Sequence, residues 1–535
     1  MLINAKWYTL QTMKKLALIF LVALFLRLFN LSSTPLGFHS DEVRVGWNAY
    51  SILKTSQDDR ANTAALYYNT FGDYRPTGIF YFTIPSIAIF GLNEFAVRFP
   101  SSLIGALTVF PVFFICFEFT KNKRASYLSA FFLGISPWSI ITSRATSEVV
   151  ISLFFSLWGI YLFIKAIKTS SDKFIYLSFA SLLISFLLYH SIRILAPVMI
   201  LAIFLFLNNK VKKDYRHMIY RFIASIFLLT ILFASTFGST NRFNQISILK
   251  NTDTTVLGIQ TASNFNIFRN FSDQYFSYFE GRFLIGDSAL PQRYKTQDVG
   301  LLLYPELILF LVGVYFSIRY KKHHLVLILL LLSPLAAALT NEDSPNLHRS
   351  LIMLPFVEIL TAAGLIFLFA KQKLIGVILI LLLFINQVFY LKQYFEVTNI
   401  ANAAVRNYTS KDLVVYLNEV HQNYEQVFVT NDPDDPYPWF AFYNKLDPEE
   451  FNKYAIKRNE GPWQYKNIIF GQSECPSGDI FPGPREPKFE KNILVIDGFK
   501  CPVEAKLKDG MQASVLKQFI NPDGTVGYTA WEKKD

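Results

Sequence analysis

The sequence predicts a polytopic α-helical membrane protein, amino terminus inside and carboxyl terminus outside, that ends in a small α/β domain. Three observations predict it. Of 535 residues, 52% are hydrophobic, 17% are charged and 53 are Phe, whereas an average soluble domain carries roughly 25% charged residues. Mean hydropathy is +0.30. Too little polar surface remains to cover a soluble globule, which excludes a disordered chain, a coiled coil and an ordinary cytosolic enzyme. The apolar residues fall into runs of membrane-spanning length, and the basic residues sit in short clusters between those runs.

About 20 apolar residues cross a bilayer as a helix. Eleven runs qualify: 15–31, 101–119, 125–141, 149–167, 174–189, 194–208, 219–237, 301–318, 324–340, 351–370 and 374–391. The run 78–90 is too short and holds Pro85, so it reads as a helix lying on the membrane. With Lys6, Lys14 and Lys15 cytoplasmic, one face collects Lys121, Lys123 and Arg124, then Lys165, Lys168 and Lys173. It goes on to Lys210, Lys212, Lys213, Arg216 and Arg221, then Arg319, Lys321 and Lys322, and last Lys371 and Lys373. Asp172 and Asp214 are the acids among them. This is a positive-inside pattern, and it holds only if 78–90 does not cross. The net charge of +11 is therefore a topology signal, and no nucleic-acid partner is expected. The stretch 31–37 lacks a small-x-small cleavage site, so the first span is expected to be an uncleaved anchor.

The expected outer face holds loops 32–100 and 238–300, shorter turns at 142–148, 190–193 and 341–350, and everything after 392. Residues 1–392 form the membrane module and 393–535 a soluble extracytoplasmic domain. In that domain Lys411–Val420 has helical spacing, and 426–430, 467–470, 492–496 and 525–530 read as strands. Cys475 and Cys501 would pair if this region faces an oxidising compartment, with free thiols as the alternative. Cys116, inside an apolar run, reads as a small apolar residue. Asp432-Pro-Asp-Asp-Pro436 reads as a solvated turn, with cation binding as the lesser alternative. No CxxC, HExxH, Walker A or GxGxxG spacing occurs, so a soluble-type metal or nucleotide module is not expected.

Ionisable residues at the ends of spans are costly unless they face water or each other, and each is a functional candidate. Asp41 and Glu42 follow the first span; adjacent carboxylates in a turn suit a general base or a divalent cation, and Asp73 joins them as a metal candidate. The bland alternative is a solvated acidic turn. Asp73 and Arg75 precede the 78–90 run, Arg98 precedes the second span, Arg144 and Glu148 occupy the next outer loop, Arg193 follows Tyr189-His190, and His348-Arg349 ends the last outer turn. These Arg are exceptions to the positive-inside pattern. Singly, each reads equally well as a lipid-headgroup anchor; jointly, beside Asp41, they suit one anion gripped by guanidinium forks.

The pattern resembles the GT-C glycosyltransferases, in particular the protein-mannosyltransferase and aminoarabinose-transferase group (glycosyltransferase family thirty-nine and relatives). Three stretches carry the resemblance: Asp41-Glu42 with Gly46 after one span; Arg75-Pro-Thr-Gly through Gly91-Leu-Asn-Glu-Phe-Ala-Val-Arg-Phe-Pro-Ser101; and Ser136-Pro-Trp-Ser-Ile-Ile-Thr-Ser-Arg-Ala-Thr-Ser-Glu148. The resemblance covers about residues 15–370. It departs at Arg75, where the aminoarabinose transferases have Lys, and in lacking the β-trefoil domains of the protein mannosyltransferases.

The resemblance implies a GT-C-like fold and a sugar donor linked to polyprenyl phosphate. Asp41 would match the catalytic carboxylate, and Arg98, Arg144, His348 and Arg349 would contact phosphate or donor. Glu42, Asp73 and Glu148 would orient sugar hydroxyls or bind a divalent cation, and Arg75 and Arg193 join the substrate set. The expected activity is inverting transfer of a sugar to a hydroxyl of a protein, lipid or glycan on the outer face of a cell membrane. Two rivals stand beside it. A lipid or glycan flippase would show internal repeats and broken helices at mid-membrane; no repeat is seen, and the charges cluster at one face. A receptor with passive spans would leave the outer Arg unexplained.

Overall fold

The structure is a computed structural model that describes residues 10–63, 65–70, 73–236, 247–248, 255–256, 259–260, 264–432, 434, 436–455, 463–471, 473, 475–477, 492–501 and 513–533. Parts of the expected outer loop 238–300, all before 264, and Lys6 lie outside the described residues.

The helices, in chain order, are α1 (Leu10–Leu28), α2 (Ser40–Thr55), α3 (Gly78–Phe90), α4 (Glu94–Leu107), α5 (Val109–Thr120), α6 (Lys123–Ile135), α7 (Pro137–Arg144), α8 (Glu148–Thr169), α9 (Asp172–Leu188), α10 (His190–Leu207) and α11 (Arg216–Ala234). Then come α12 (Asn264–Ser277), α13 (Tyr304–Arg319), α14 (His324–Leu332), α15 (Leu354–Lys371) and α16 (Lys373–Lys392). Tyr67–Thr70 (β1) and Asp73–Pro76 (β2) form a hairpin before α3. A helix occupies each of the eleven expected runs. Among the described residues, six helical stretches are long and apolar enough to cross a membrane by themselves, and α6 with α7 makes a seventh, bent by 50° where Ser136-Pro137 breaks the helix. The chain is an integral membrane protein.

Local chemistry sets the turns between spans. Lys121 closes α5 in the left-handed region, and the Asn122 side chain then accepts the free N–H groups of Arg124 and Ala125 at 2.9 and 3.3 Å, an N-cap that starts α6. The second span begins earlier than its apolar run: the helix starts at Glu94, so Glu94 and Arg98 stand one turn apart on one face. The run 78–90 is helical, and at 13 residues it is about 20 Å long, short of a bilayer.

The chain divides into two compact units. One comprises Met1–Phe29, Leu66–Ile79 and Ser101–Tyr394; the other comprises Asn30–Ala65, Phe80–Pro100 and Phe395–Asp535. In the first unit, α13 and α15 cross with their backbones touching: a Cβ on Gly313 would collide with the Leu360 carbonyl, and one on Gly364 with the Leu309 carbonyl. Without a hydrophobic drive between helices in lipid, such close approach is what holds them together. Lys121, Lys165 and Lys168 converge on Glu118 at 2.7, 3.3 and 2.7 Å, which gathers the carboxyl ends of α5 and α8 at one end of the bundle. The 22 residues of α8 rise about 33 Å, so Glu148 stands a bilayer's thickness from that lysine end.

The second unit carries helices α17 (Ser410–Val420), α18 (Tyr437–Asn444) and α19 (Pro448–Ala455), and strands β3 (Gln426–Val429), β4 (Trp463–Tyr465), β5 (Ile468–Phe470), β6 (Ile493–Gly498), β7 (Ala513–Ile520) and β8 (Val526–Lys533). The sheet order is β4-β5-β3-β6-β8-β7. β3 lies parallel to β5 and β6, and the other pairs are antiparallel. The four strands read from the sequence are present; β4 and β7 were not foreseen. Cys475 and Cys501 form a disulfide, with Cα atoms 5.6 Å apart. Asp432 is not solvated: it is buried, with Lys500 Nζ at 3.1 Å.

Gly364→Val should wedge α13 from α15. Overpacking of this kind costs about 1–3 kcal/mol, read as a lower unfolding midpoint in detergent; an unchanged midpoint would show that the crossing carries no stability.

Candidate active site

Asp41 lies in the first turn of α2. His39 caps that helix: its Nδ1 accepts the Asp41 N–H at 3.2 Å, and Glu42 Oε2 accepts the His39 N–H at 3.4 Å. Residues 41 and 42 point about 100° apart around a helix, and their surroundings differ accordingly. The Asp41 side chain is 31% exposed, with one carboxylate oxygen 3.7 Å from His39. Glu42 is buried.

Two guanidiniums grip Glu42. Arg98 donates from Nε to Oε1 at 2.9 Å and from Nη2 to Oε2 at 3.2 Å, and Arg406 also donates to Oε2. The other Arg98 donors go to the carbonyls of Leu31 at 3.1 Å, Pro35 at 3.0 Å and Gly37 at 2.6 Å. Arg98 is wholly buried, and its donors end on the chain itself. In place of a phosphate, this arginine holds the loop between α1 and α2. Glu94, one turn before it, accepts from Lys411 Nζ at 3.0 Å and from the Tyr443 hydroxyl at 3.1 Å. Burial, with Glu94 alongside, holds the Tyr443 phenol well above its ordinary range, so it stays neutral and donates.

In the other unit, Arg144 is likewise buried. Its Nη1 donates to the carbonyls of Leu26 and Arg27 at 2.8 and 2.9 Å, and its Nη2 to that of Phe29 at 2.8 Å. It therefore closes the carboxyl end of α1, where the helix dipole favours a cation. Arg193 donates to the Phe186 carbonyl at 2.8 Å and the Tyr67 hydroxyl at 2.9 Å, and lies 3.0 Å from His190 Nδ1. His190 Nε2 is 3.2 Å from the Tyr74 carbonyl. Tyr67 and Tyr74 belong to the hairpin that bears the half-buried Arg75, so the structure joins that hairpin to the start of α10. The Asp73 backbone is in the hairpin; its side chain lies outside the described residues.

His348 and Arg349 line one small cleft with Val149, Ser152, Ser191 and Ile352. Asn346 sets the turn, its Oδ1 accepting the N–H groups of His348 and Arg349 at 3.0 and 2.9 Å. Arg349 donates to Thr340 Oγ1 at 2.8 Å and the Glu342 carbonyl at 2.6 Å, and pairs with the Glu342 carboxylate. The cleft has an apolar lining of Leu153, Leu195 and Ile352 beside His348 and Arg349. It opens between the first turns of α8, which Glu148 begins, and of α10. That end of α8 is the one opposite the lysines.

Among the described residues, no group of three or more His, Cys, Asp or Glu side chains is placed to hold a metal ion. Of the metal candidates, Glu42 has both oxygens engaged by guanidiniums. Sequence reading missed Arg406, Lys411 and Tyr443, which lie in unremarkable polar sequence more than 300 positions from their partners.

Residues 74–234 match the family model described as dolichyl-phosphate-mannose-protein mannosyltransferase. Among solved structures, ArnT from Cupriavidus metallidurans in the apo state superposes with a TM-score of 0.57 at 11% identity, covering 96% of this chain and 97% of that one. The same protein bound to undecaprenyl phosphate gives 0.54 at 11% identity, with 98% of each chain covered. Oligosaccharyltransferase AglB from Archaeoglobus fulgidus, in complex with an inhibitory peptide and a dolichol-phosphate, gives 0.50 at 11% identity over 98% of this chain and 74% of that one. No curated protein matches. The chain has the GT-C glycosyltransferase fold: membrane helices with a sheet-bearing carboxyl-terminal domain. Its segment 74–234 carries the pattern of the mannosyltransferase family that the sequence resembles.

Glu42→Ala should leave two buried guanidiniums uncompensated, at a cost of about 3–5 kcal/mol. The check is the unfolding midpoint of the purified variant; a midpoint equal to wild type would mean that water or backbone replaces the carboxylate.

Proposed function

We propose that the protein is an inverting glycosyltransferase that moves a sugar from a polyprenyl-phosphate donor to an acceptor hydroxyl on the extracytoplasmic face. The observation that carries the reading is the contrast at the start of α2: Glu42 is buried and paired, while Asp41 is accessible and held by its neighbours. The GT-C fold, the mannosyltransferase-family match and a neighbour bound to undecaprenyl phosphate support the donor class. The Cys475–Cys501 disulfide supports an oxidising, extracytoplasmic setting for the tail. The positive-inside pattern supports the same orientation.

A phosphate leaves as an anion and needs no acid catalyst; it needs positive charge. The acceptor hydroxyl needs a base. In the proposed step the acceptor oxygen bonds to the anomeric carbon as the bond from that carbon to the phosphate oxygen breaks. The hydroxyl proton passes to Asp41, and the electron pair leaves with polyprenyl phosphate. One displacement inverts the anomeric centre. His348 and Arg349 are assigned to the phosphate. Glu342, 43% exposed, can yield its place on Arg349 to the ligand and turn to water. Arg75, Arg193 and Glu148 are assigned to donor binding, and Arg98, Arg144 and Glu42 to holding the backbone from which the others act. The acceptor hydroxyl belongs to a protein, a lipid or a glycan.

The test is transfer from a radiolabelled polyprenyl-phosphate sugar in membranes. Asp41→Asn should lose about 10²- to 10⁴-fold in rate with donor affinity kept; near-normal turnover would remove Asp41 from the role. A flippase would move the lipid and leave its phosphate–sugar bond intact. Arg349→Ala should weaken donor binding roughly 10- to 100-fold, the worth of a hydrogen bond to a charged group. Unchanged donor affinity would remove Arg349 from the phosphate.

A further inference from the structure

The loop 34–39, which delivers Asp41, has little ladder or helix of its own. A loop with buried backbone must find partners for its N–H and C=O groups; Arg98 meets the Pro35 and Gly37 carbonyls, and further partners come from the far end of the chain. Asn399 Oδ1 accepts the Leu36 N–H at 2.9 Å, and its Nδ2 donates to Thr34 Oγ1 at 2.9 Å. Trp439 Nε1 donates to the Phe38 carbonyl at 2.8 Å, and the Phe38 ring packs on Phe442 with centroids 5.0 Å apart. Gly37, at φ +81°, lies against the Arg406 backbone so closely that a Cβ would stand 2.6 Å from the Arg406 carbonyl oxygen. Arg406 then reaches Glu42, the residue after Asp41. Thus residues 34, 36, 37, 38 and 42 are each tied to the carboxyl-terminal segment, and Asp41, between them, keeps its carboxylate accessible.

We propose that segment 399–442 positions the catalytic base, with Asn399, Arg406 and Trp439 as positioning residues that aim Asp41 at the acceptor. The inference rests on the reading of Asp41 as that base. A general base works only within hydrogen-bond reach of the proton it takes, and a misplacement of 1 Å costs up to about 100-fold in rate. None of the three residues is assigned to the donor phosphate, so loosening them should act on turnover and leave donor binding alone. A tail that merely stabilised the protein would not divide kcat from KM in this way.

The experiment uses the full-length protein in nanodiscs, with polyprenyl-phosphate [¹⁴C]mannose as the probe, and compares Trp439→Phe, Arg406→Gln and Arg406→Lys with Asp41→Asn. Trp439→Phe removes the indole N–H and leaves a smaller aromatic ring in the same buried place, with no buried charge disturbed, so it should fold even where Arg406 variants do not. Its kcat should fall about 10-fold with the donor KM unchanged, and amide exchange at residues 36–43 should rise, within the range that misalignment of a reacting group produces. Arg406→Gln should fall further, and Arg406→Lys should recover part of the loss. Wild-type kcat in Trp439→Phe and Arg406→Gln while Asp41→Asn is inactive would overturn the inference and leave the base assignment standing. A loss confined to donor KM would overturn it too. Normal turnover by Asp41→Asn would overturn the base assignment, and the inference with it.

Discussion

The buried ion cluster of Arg98, Glu42 and Arg406 is the constraint on which the proposed chemistry depends. Burying two guanidiniums and one carboxylate is tolerable only when the remaining donors are also satisfied. The Leu31, Pro35 and Gly37 carbonyls meet that requirement for Arg98. The requirement also works in reverse. Three carbonyls aimed at one guanidinium leave the loop few conformations, so the cation fixes the chain that leads to Asp41. A lysine would not serve, because its compact ammonium has three donors and no planar fork.

Much of the architecture was legible because its signals are local. Run length found the spans, and strand-length apolar segments found four strands of the sheet. What was lost had a physical reason in each case. The start of the second span was placed late because Glu94 and Arg98 interrupt the apolar pattern; their charges are acceptable in a helix because distant partners meet them, Lys411 and Tyr443 for Glu94 and Glu42 for Arg98. β7 was missed because four of its residues, Val515 to Gln518, are exposed and give no clean alternation. Arg406 and Trp439 are invisible from the sequence, since the groups they satisfy lie at the other end of the chain.

The outer arginines show a finer limit. Their position at span ends was legible, but a sequence cannot say whether a guanidinium faces a ligand or a carbonyl. Arg98 and Arg144 face carbonyls and are wholly buried, as is Arg27, which donates to the Ala23 and Gly134 carbonyls at 2.8 Å. Carboxyl ends of helices present unpaired carbonyls, and an arginine satisfies several at once. At the ends of spans, where water is scarce, that demand competes directly with ligand binding for the same residue type.

Arg349 differs from Arg98 and Arg144 in that its carboxylate partner is exposed: Glu342 is 43% exposed, whereas Glu42 on Arg98 is buried and Arg144 meets carbonyls; this difference is the best physical guide to where a phosphate would sit. A main-chain carbonyl cannot leave its guanidinium without moving the backbone. The Glu342 side chain can leave, because it is 43% exposed and water will solvate it. In the proposed reading, exchange of one anion for another on the same cation would change little in net charge, and the incoming phosphate would meet a donor set already oriented by Thr340 and Asn346. A cation held by a removable carboxylate is in this sense pre-organised for an anionic ligand, whereas one held by carbonyls is part of the scaffold.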